Sequence, residues 1–281
     1  MPPHVSHRIS GLPMRHPHAR LLVSAALAAV LALGLAGCNT TNSDVTGSIG
    51  NVRASADDTP RTDGEWRQSM EAWGARYRQD PSSVEAAIKY ARALRAIGQR
   101  AQAVAVLEQA AIRNPENMQL LGEYGRALAA AGNLQQALDV LGRAHTPDNP
   151  DWRILNAQGA VLDQLGRHAD AQKHYTSALK LMPDEPSVLS NLGLSYLLTK
   201  DLKRAEVTLR RALAQPGADP KVRQNLALVV GLRGKFADAE QIARQGLSAD
   251  EAAANVDYLR QVLAEHKRGN KGYVPPPNPG G

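Results

Sequence analysis

A single cysteine, Cys38, is all that the 281 residues contain, and only 4% of them are aromatic. One cysteine rules out an intramolecular disulfide. It also leaves the zinc-finger-like spacing of His168 and His174 without the cysteine pair such a site needs, so two surface histidines near a helix start account for it better. No nucleophile motif, glycine-rich phosphate loop or metalloprotease signature occurs. The sequence offers no catalytic set, no metal site and no cofactor site, and an enzyme is not expected. The uncharged apolar run at residues 21–36 has 16 members, short of the roughly 20 that a membrane-spanning helix needs. A strong charge of one sign is missing too. The formal net charge is +6, and setting aside Arg8, Arg15 and Arg20, which precede that run, leaves 30 basic against 27 acidic residues, or +3. So balanced and dispersed a charge argues against nucleic acid as a partner.

What is present is a repeat. Residues 84–117 read as two amphipathic helical runs joined at Gly98 and closed by Pro115. Ala87, Tyr90, Ala91 and Leu94 share one helix face by their spacing, and Ala103, Leu107 and Ala110 continue the pattern after the turn. The same pattern returns every 34 residues without insertion, giving copies at 84–117, 118–151, 152–185, 186–219 and 220–253. One column down the copies is Ala91, Gly125, Gly159, Gly193, Ala227; another is alanine throughout, at 103, 137, 171, 205 and 239; a third is Ala110, Ala144, Ala178, Ala212, Gly246. Small residues belong where two helices cross closely, since a larger side chain would separate the backbones. Length and small-residue columns together are those of the tetratricopeptide repeat (TPR), and the low aromatic content agrees with alanine-rich packing. The expected fold is all-α, a TPR solenoid of five helical hairpins. Copy four departs from the turn column, with Lys200 where the others carry Gly98, Gly132, Gly166 and Gly234. Copy five, with Arg223, Ala243 and Gly246 in normally apolar or alanine columns, reads as a worn terminal unit.

The flanking segments divide by composition. Residues 1–37 combine a basic start, a short apolar run and Leu35-Ala36-Gly37-Cys38, which resembles the bacterial lipoprotein signal box. That resemblance implies cleavage before Cys38, acylation of its thiol, palmitate among the chains, and membrane attachment through the lipid. By the sorting rules of enterobacteria, Asn39 after the cysteine favours the outer membrane. Residues 38–64 form the lipidated cysteine and a polar tether, which by coil scaling reaches roughly 25–30 Å. The solenoid is expected over 65–267. Within it Trp66, Met70, Trp73 and Tyr77 line a helix that would be the second half of a missing repeat, and residues 255–267 form a capping helix with Val256, Leu259, Val262 and Leu263 on one face. The Pro- and Gly-rich residues 268–281 are expected to be disordered.

The remaining functional surface is the face of the first helices opposite their buried side. The columns assigned to it supply Arg92 in copy one, Arg126 in copy two, Arg153 and Asn156 in copy three, Ser190, Leu194 and Leu197 in copy four, and Leu228 in copy five. This groove is basic in its N-terminal half and apolar in its C-terminal half. Asn191 and Asn225 are expected to bond helix to helix, and Asn191 with Lys221 meets the TPR carboxylate-clamp pattern only in part.

Residues 89–115 behind a lipoprotein signal resemble the TPR lipoproteins of the tight-adherence (Flp) pilus system, the TadD family. The resemblance implies a non-enzymatic assembly factor at the periplasmic face of the outer membrane, acting on the pilus secretin or other assembly subunits; only Cys38 carries over residue by residue. Two alternatives stay open: a TPR lipoprotein of outer-membrane β-barrel assembly, and an accessory subunit of an envelope polysaccharide or cell-wall enzyme.

Overall fold

A computed structural model describes residues 62–271, with side chains through Glu265. These residues form twelve helices and no strand. Helix α1 spans Asp63–Gln79. Five hairpins follow: α2 (Val84–Ala96) with α3 (Arg100–Arg113), α4 (Met118–Ala130) with α5 (Leu134–Gly142), and α6 (Trp152–Gln164) with α7 (His168–Leu181). The last two are α8 (Pro186–Leu198) with α9 (Leu202–Leu213), and α10 (Pro220–Leu232) with α11 (Phe236–Ala243); α12 is Ala249–Lys271. The array is the TPR solenoid that the repeat spacing implies.

Local chemistry sets each boundary. Every first helix is capped by a side chain at its N-terminus, from Ser83, Asn117, Asp151, Glu185 and Asp219 in turn. Within a hairpin, only Asp201 caps a second helix with its side chain. Instead the turn closes by backbone: Gln99, Asn133, Arg167, Asp201 and Lys235 donate N–H back to the carbonyls of Leu94, Leu128, Leu162, Tyr196 and Val230. That closure needs a left-handed residue just before the donor. Gly98, Gly132, Gly166 and Gly234 supply it at φ between 75° and 86°, and Lys200 adopts it at φ 63°. Lys200 thus forces the same turn at a cost of about 1–2 kcal/mol relative to glycine.

The alanine column at 103, 137, 171, 205 and 239 is at most 1% exposed, so it is where the helices of a hairpin cross. The column headed by Ala91 faces the second helix of its own hairpin: a Cβ on Gly125, Gly159 or Gly193 would come within 2.7 Å of Leu141, Tyr175 or Leu209 respectively. Helix α1 packs on α2 with Met70, Trp73 and Tyr77 against the first core cluster, completing copy one from the N-terminal side. Arg76 and Lys89 both sit over the Trp73 ring, at 4.3 and 4.4 Å from its centroid.

The C-terminal cap differs from the sequence expectation. It begins at Ala249 rather than at residue 255, and it runs through Lys271, past the start of the expected tail at 268. The reason is a capping box: Ser248 Oγ accepts from Glu251 N–H while Glu251 Oε2 accepts from Ser248 N–H. Copy five is correspondingly cut short. Its second helix has 8 residues, Gly246 is exposed beyond it, and α12 closes the stack with Ala252, Val256 and Leu259 buried. No helix among the described residues is long and apolar enough to cross a membrane.

Candidate binding groove

The first helices of neighbouring hairpins touch one another: α2 meets α4, α4 meets α6, α6 meets α8, and α8 meets α10. No comparable contact joins successive second helices. The stack therefore curves with its first helices inside, and the inner seam is closed tightly enough to bury whole columns of side chains.

This closure corrects part of the expected groove. Asn156 and Ser190 are 5% exposed and Leu197 is 2% exposed, so none of the three presents its side chain to a partner. Asn156 Oδ1 instead accepts from Asn191 Nδ2 at 3.0 Å, a bond between neighbouring first helices that fits the expected role of Asn191. Columns five, six and twelve of the repeat, counted from Val84, are largely taken up by the seam. Columns two, nine and thirteen stay at least partly open, except at Ala160, the buried copy-three member of column nine. They present Arg153 exposed, Arg92, Arg126, Leu194 and Leu228 half-buried, and Leu198 and Leu232, which sequence reasoning left out. Leu194 with Leu228 and Leu198 with Leu232 are one repeat apart, so these leucines form two short rows on the inner face.

The arginines are not a simply solvated face. Glu123, on α4 and 4% exposed, draws three of them together. Its Oε1 accepts from Arg92 Nε at 3.1 Å, from Arg92 Nη2, and from Arg126 Nη2 at 2.9 Å, while Oε2 lies 3.4 Å from Arg95 Nη1. Burial alone would raise the Glu123 pKa; the fields of Arg126, Arg92 and Arg95 outweigh it and hold the carboxyl down at about 2. Gly122 makes room for this arrangement: its missing side chain leaves space for the Arg126 guanidinium and for Ile154 of the next hairpin. Arg153 stands apart, paired with Asp151 at 3.9 Å and 4.7 Å from the Trp152 ring centroid.

A second polar knot lies at the centre. Asp163 accepts from Ser195 Oγ at 2.8 Å and Tyr175 OH at 3.0 Å, and lies 2.8 Å from His168 Nδ1. Through it α6 is tied to its own second helix and to the next first helix. His168 is thus a structural partner rather than a surface group, and His174 Nδ1 lies 3.0 Å from the Asp170 carbonyl. No cluster of three metal-ligating residues occurs among the described residues. Copies one and two tie the hairpin by a different pair: Gln102 donates to Tyr90 OH and Gln136 to Tyr124 OH. Towards the C-terminus, Glu206 of α9 gathers Arg210 at 2.8 Å, Lys235 at 3.7 Å and Arg233, fastening copy four to copy five.

The family model described as tetratricopeptide repeat matches residues 96–159 and 164–229. A search of curated proteins gives no match. Among solved structures, the APC/C hetero-tetramer Cut9–Hcn1 is similar at a TM-score of 0.60 and 17% identity over 73% of this chain; the match spans 40% of the Cut9–Hcn1 chain. PilW, described as a widely conserved type IV pilus biogenesis factor, is similar at 0.58 and 17% identity, over 71% of this chain and 91% of its own. PilF of Pseudomonas aeruginosa follows at 0.53 and 18% identity, over 68% and 89%. At these identities the likeness is one of fold.

Proposed function

We propose that this chain is a non-enzymatic TPR scaffold, held at the periplasmic face of the outer membrane by lipid on Cys38. In this reading it binds an envelope protein on its inner face during Flp pilus assembly, with the pilus secretin as the expected partner. The observation that carries the binding reading is the open strip of columns nine and thirteen. Its half-buried or exposed members are Arg92, Arg126, Leu194, Leu198, Leu228 and Leu232, and in copy three the buried Ala160 interrupts column nine. Apolar rows of this kind, bordered by polar residues, mark interaction sites. The fold-level likeness to PilW, described as a type IV pilus biogenesis factor, supports pilus assembly as the setting. The anchoring reading rests on the signal box, because Cys38 lies outside the described residues.

The structure sets which substitutions test this. Reversing the charge at Arg126, whose side chain is 12% exposed against Glu123, would break the fold before it tested binding. Leu194→Asp with Leu228→Asp places two charges on the open strip without touching a polar knot. This double variant is expected to abolish pilus assembly while leaving helicity and membrane attachment unchanged. The control pair must avoid Gln102 and Gln136, which hold Tyr90 and Tyr124; the exposed outer residues Gln109 and Lys180, each changed to Glu, serve instead. Normal assembly by the inner pair together with failure of the outer pair would move the site to the outer face. For the anchor, Cys38→Ser is expected to leave an unprocessed precursor, and mass spectrometry that finds an unmodified Cys38 in the wild type would contradict lipidation.

A further inference from the structure

Resting on the reading that lipid on Cys38 holds the chain at a membrane, we propose that one corner of the solenoid docks on anionic phospholipid. Helices alternate in direction, so the turns within hairpins lie along one edge of the stack and the loops between hairpins along the other. The two edges differ in charge. The five turns, three residues each, hold Arg167, Lys200, Arg233 and Lys235 against Asp201, or +3. The loops at 80–83, 114–117, 143–151, 182–185, 214–219 and 244–248 hold seven acidic residues against Arg143 and Arg244, or −5. The acidic edge has a cause within the fold, since Asp151, Glu185 and Asp219 cap first helices. The basic edge is only partly explained in that way. Arg167 is paired with Asp170, and Arg233 and Lys235 with Glu206. Lys200 and Lys203 are exposed, and no hydrogen bond or ion pair holds either among the described residues. Asp201, the acid between them, is taken by Arg204 at 2.6 Å. Lys200 also keeps a strained backbone, at φ 63°, where the other four copies carry glycine. Strain retained at an exposed charged side chain points to use rather than packing. Lys200, Lys203, Arg204 and Arg233 line one open cleft of about 730 Å³ beside α7 and α9, with Gln172 among its other walls. So cationic a lining suits a phosphate headgroup and not an apolar ligand.

Helix α12 adds a second basic element at the same corner. Leu259 fills the space that a side chain on Gly231 would need, and Arg260 lies 5.0 Å from the ring centroid of Phe236. Gly231 and Phe236 flank the turn of copy five, so α12 has reached the turn edge by residue 260. It continues through Lys271, 11 residues farther, an overhang of about 16 Å. The fully buried capping residues, Ala252, Val256 and Leu259, all precede that overhang. Within it the sequence places Lys267, Arg268 and Lys271 against Glu265. From the turn of copy four to α12 is two first-helix spacings, about 16–20 Å, close to the length of the overhang. One plane tilted by about 45° to the helices therefore meets both. Lysines are compact point charges that meet phosphates without a fixed geometry. Each adds attraction to an anionic leaflet within a Debye length, about 8–10 Å. These groups lie on a projecting corner and not in a groove, which favours a flat lipid surface over a polypeptide segment. Docking there turns the acidic edge away from the lipid and leaves the inner face to the side, open to a partner.

The test uses the full chain bound to vesicles that carry a quencher on their headgroups. A fluorescent amino acid is placed in turn at Gln261, on the overhang, and at Glu116, on the acidic edge. With phosphatidylglycerol in the vesicles, the probe at 261 should be quenched several-fold more strongly than the probe at 116. In phosphatidylcholine alone, or at high salt, that difference should vanish. Lys200→Gln, Lys203→Gln, Lys267→Gln and Arg268→Gln combined should abolish it as well, while helicity and melting hold. Equal quenching at the two positions with phosphatidylglycerol would overturn the proposal, and so would a difference indifferent to the four substitutions. Loss of pilus assembly by the fourfold variant with its quenching unchanged would make the corner a docking site for an acidic protein, and would also overturn it. Failure of the anchor is read separately. An unmodified Cys38 with the quenching difference intact would remove the lipid anchor and keep the docking corner. Equal quenching on a chain whose Cys38 is lipidated would remove the corner alone.

Discussion

Glu123→Ala is expected to lower the free energy of unfolding by about 3–5 kcal/mol, because it leaves three arginines facing one another in a site meant for an ion cluster. The carboxylate is 4% exposed and holds α2 to α4 through Arg92 and Arg95, and it fixes Arg126 on its own helix. Its depressed pKa makes the same statement in another form. A carboxyl held at about 2 against an ordinary 4.5 contributes stability on the order of 3 kcal/mol. The sign follows from the direction of the shift. The folded chain gives up this proton more readily than the unfolded chain, so the contribution is complete above pH 4.5 and is lost as pH falls towards 2. Acid titration of the wild type should therefore show a loss of stability in that window that Glu123→Gln no longer shows. Denaturant melts at pH 7 and pH 3 measure both. A Glu123→Ala variant as stable as the wild type at pH 7 would mean that the arginines do not depend on it.

Gly159→Ala is expected to cost about 1–3 kcal/mol, although alanine is the better helix former and occupies the same column in copies one and five. The added Cβ would lie 2.5 Å from Tyr175 Cε1, and that ring is 1% exposed with its hydroxyl held by Asp163. It has nowhere to turn. Copy one shows the compatible alternative, Ala91 opposite Leu107. Adding Tyr175→Leu to Gly159→Ala should therefore recover the steric part of the loss while giving up the bond to Asp163. A double-mutant cycle by thermal melts separates the two contributions, and strictly additive losses would refute the contact.

These two sites show what the sequence discloses and what it does not. The 34-residue period, the alanine column and the turn glycines identify the solenoid, since each reports a constraint local to one hairpin. The turn is sharp enough that Lys200 follows the glycines into the left-handed region. Curvature is different, because it belongs to the stack and no single copy records it. Periodicity places Asn156, Ser190 and Leu197 opposite the hairpin core, yet contact between first helices buries them. Glu123 escapes the periodicity for a related reason: within one copy it is only a charged residue among leucines and glycines. Its signal lies across copies, with Arg92 31 residues before it, close to one repeat. Asn156 and Asn191 sit 35 apart, and the same offset logic finds them. The start of α12 is legible locally, in the Ser248 to Glu251 spacing, but it falls inside the full 34 residues of the fifth copy.

The central claim is that the inner face of the solenoid, and not its outer face, receives a partner segment. Site-specific photocrosslinking in living cells tests it most directly, with the crosslinking residue placed in turn at Leu228 and Arg92 inside, and at Gln109 and Lys180 outside. Adducts from both inner positions with one envelope protein of the pilus system, and none from the outer positions, are the result predicted here. Adducts with that protein from Gln109 and Lys180, with Leu228 and Arg92 silent, would contradict it.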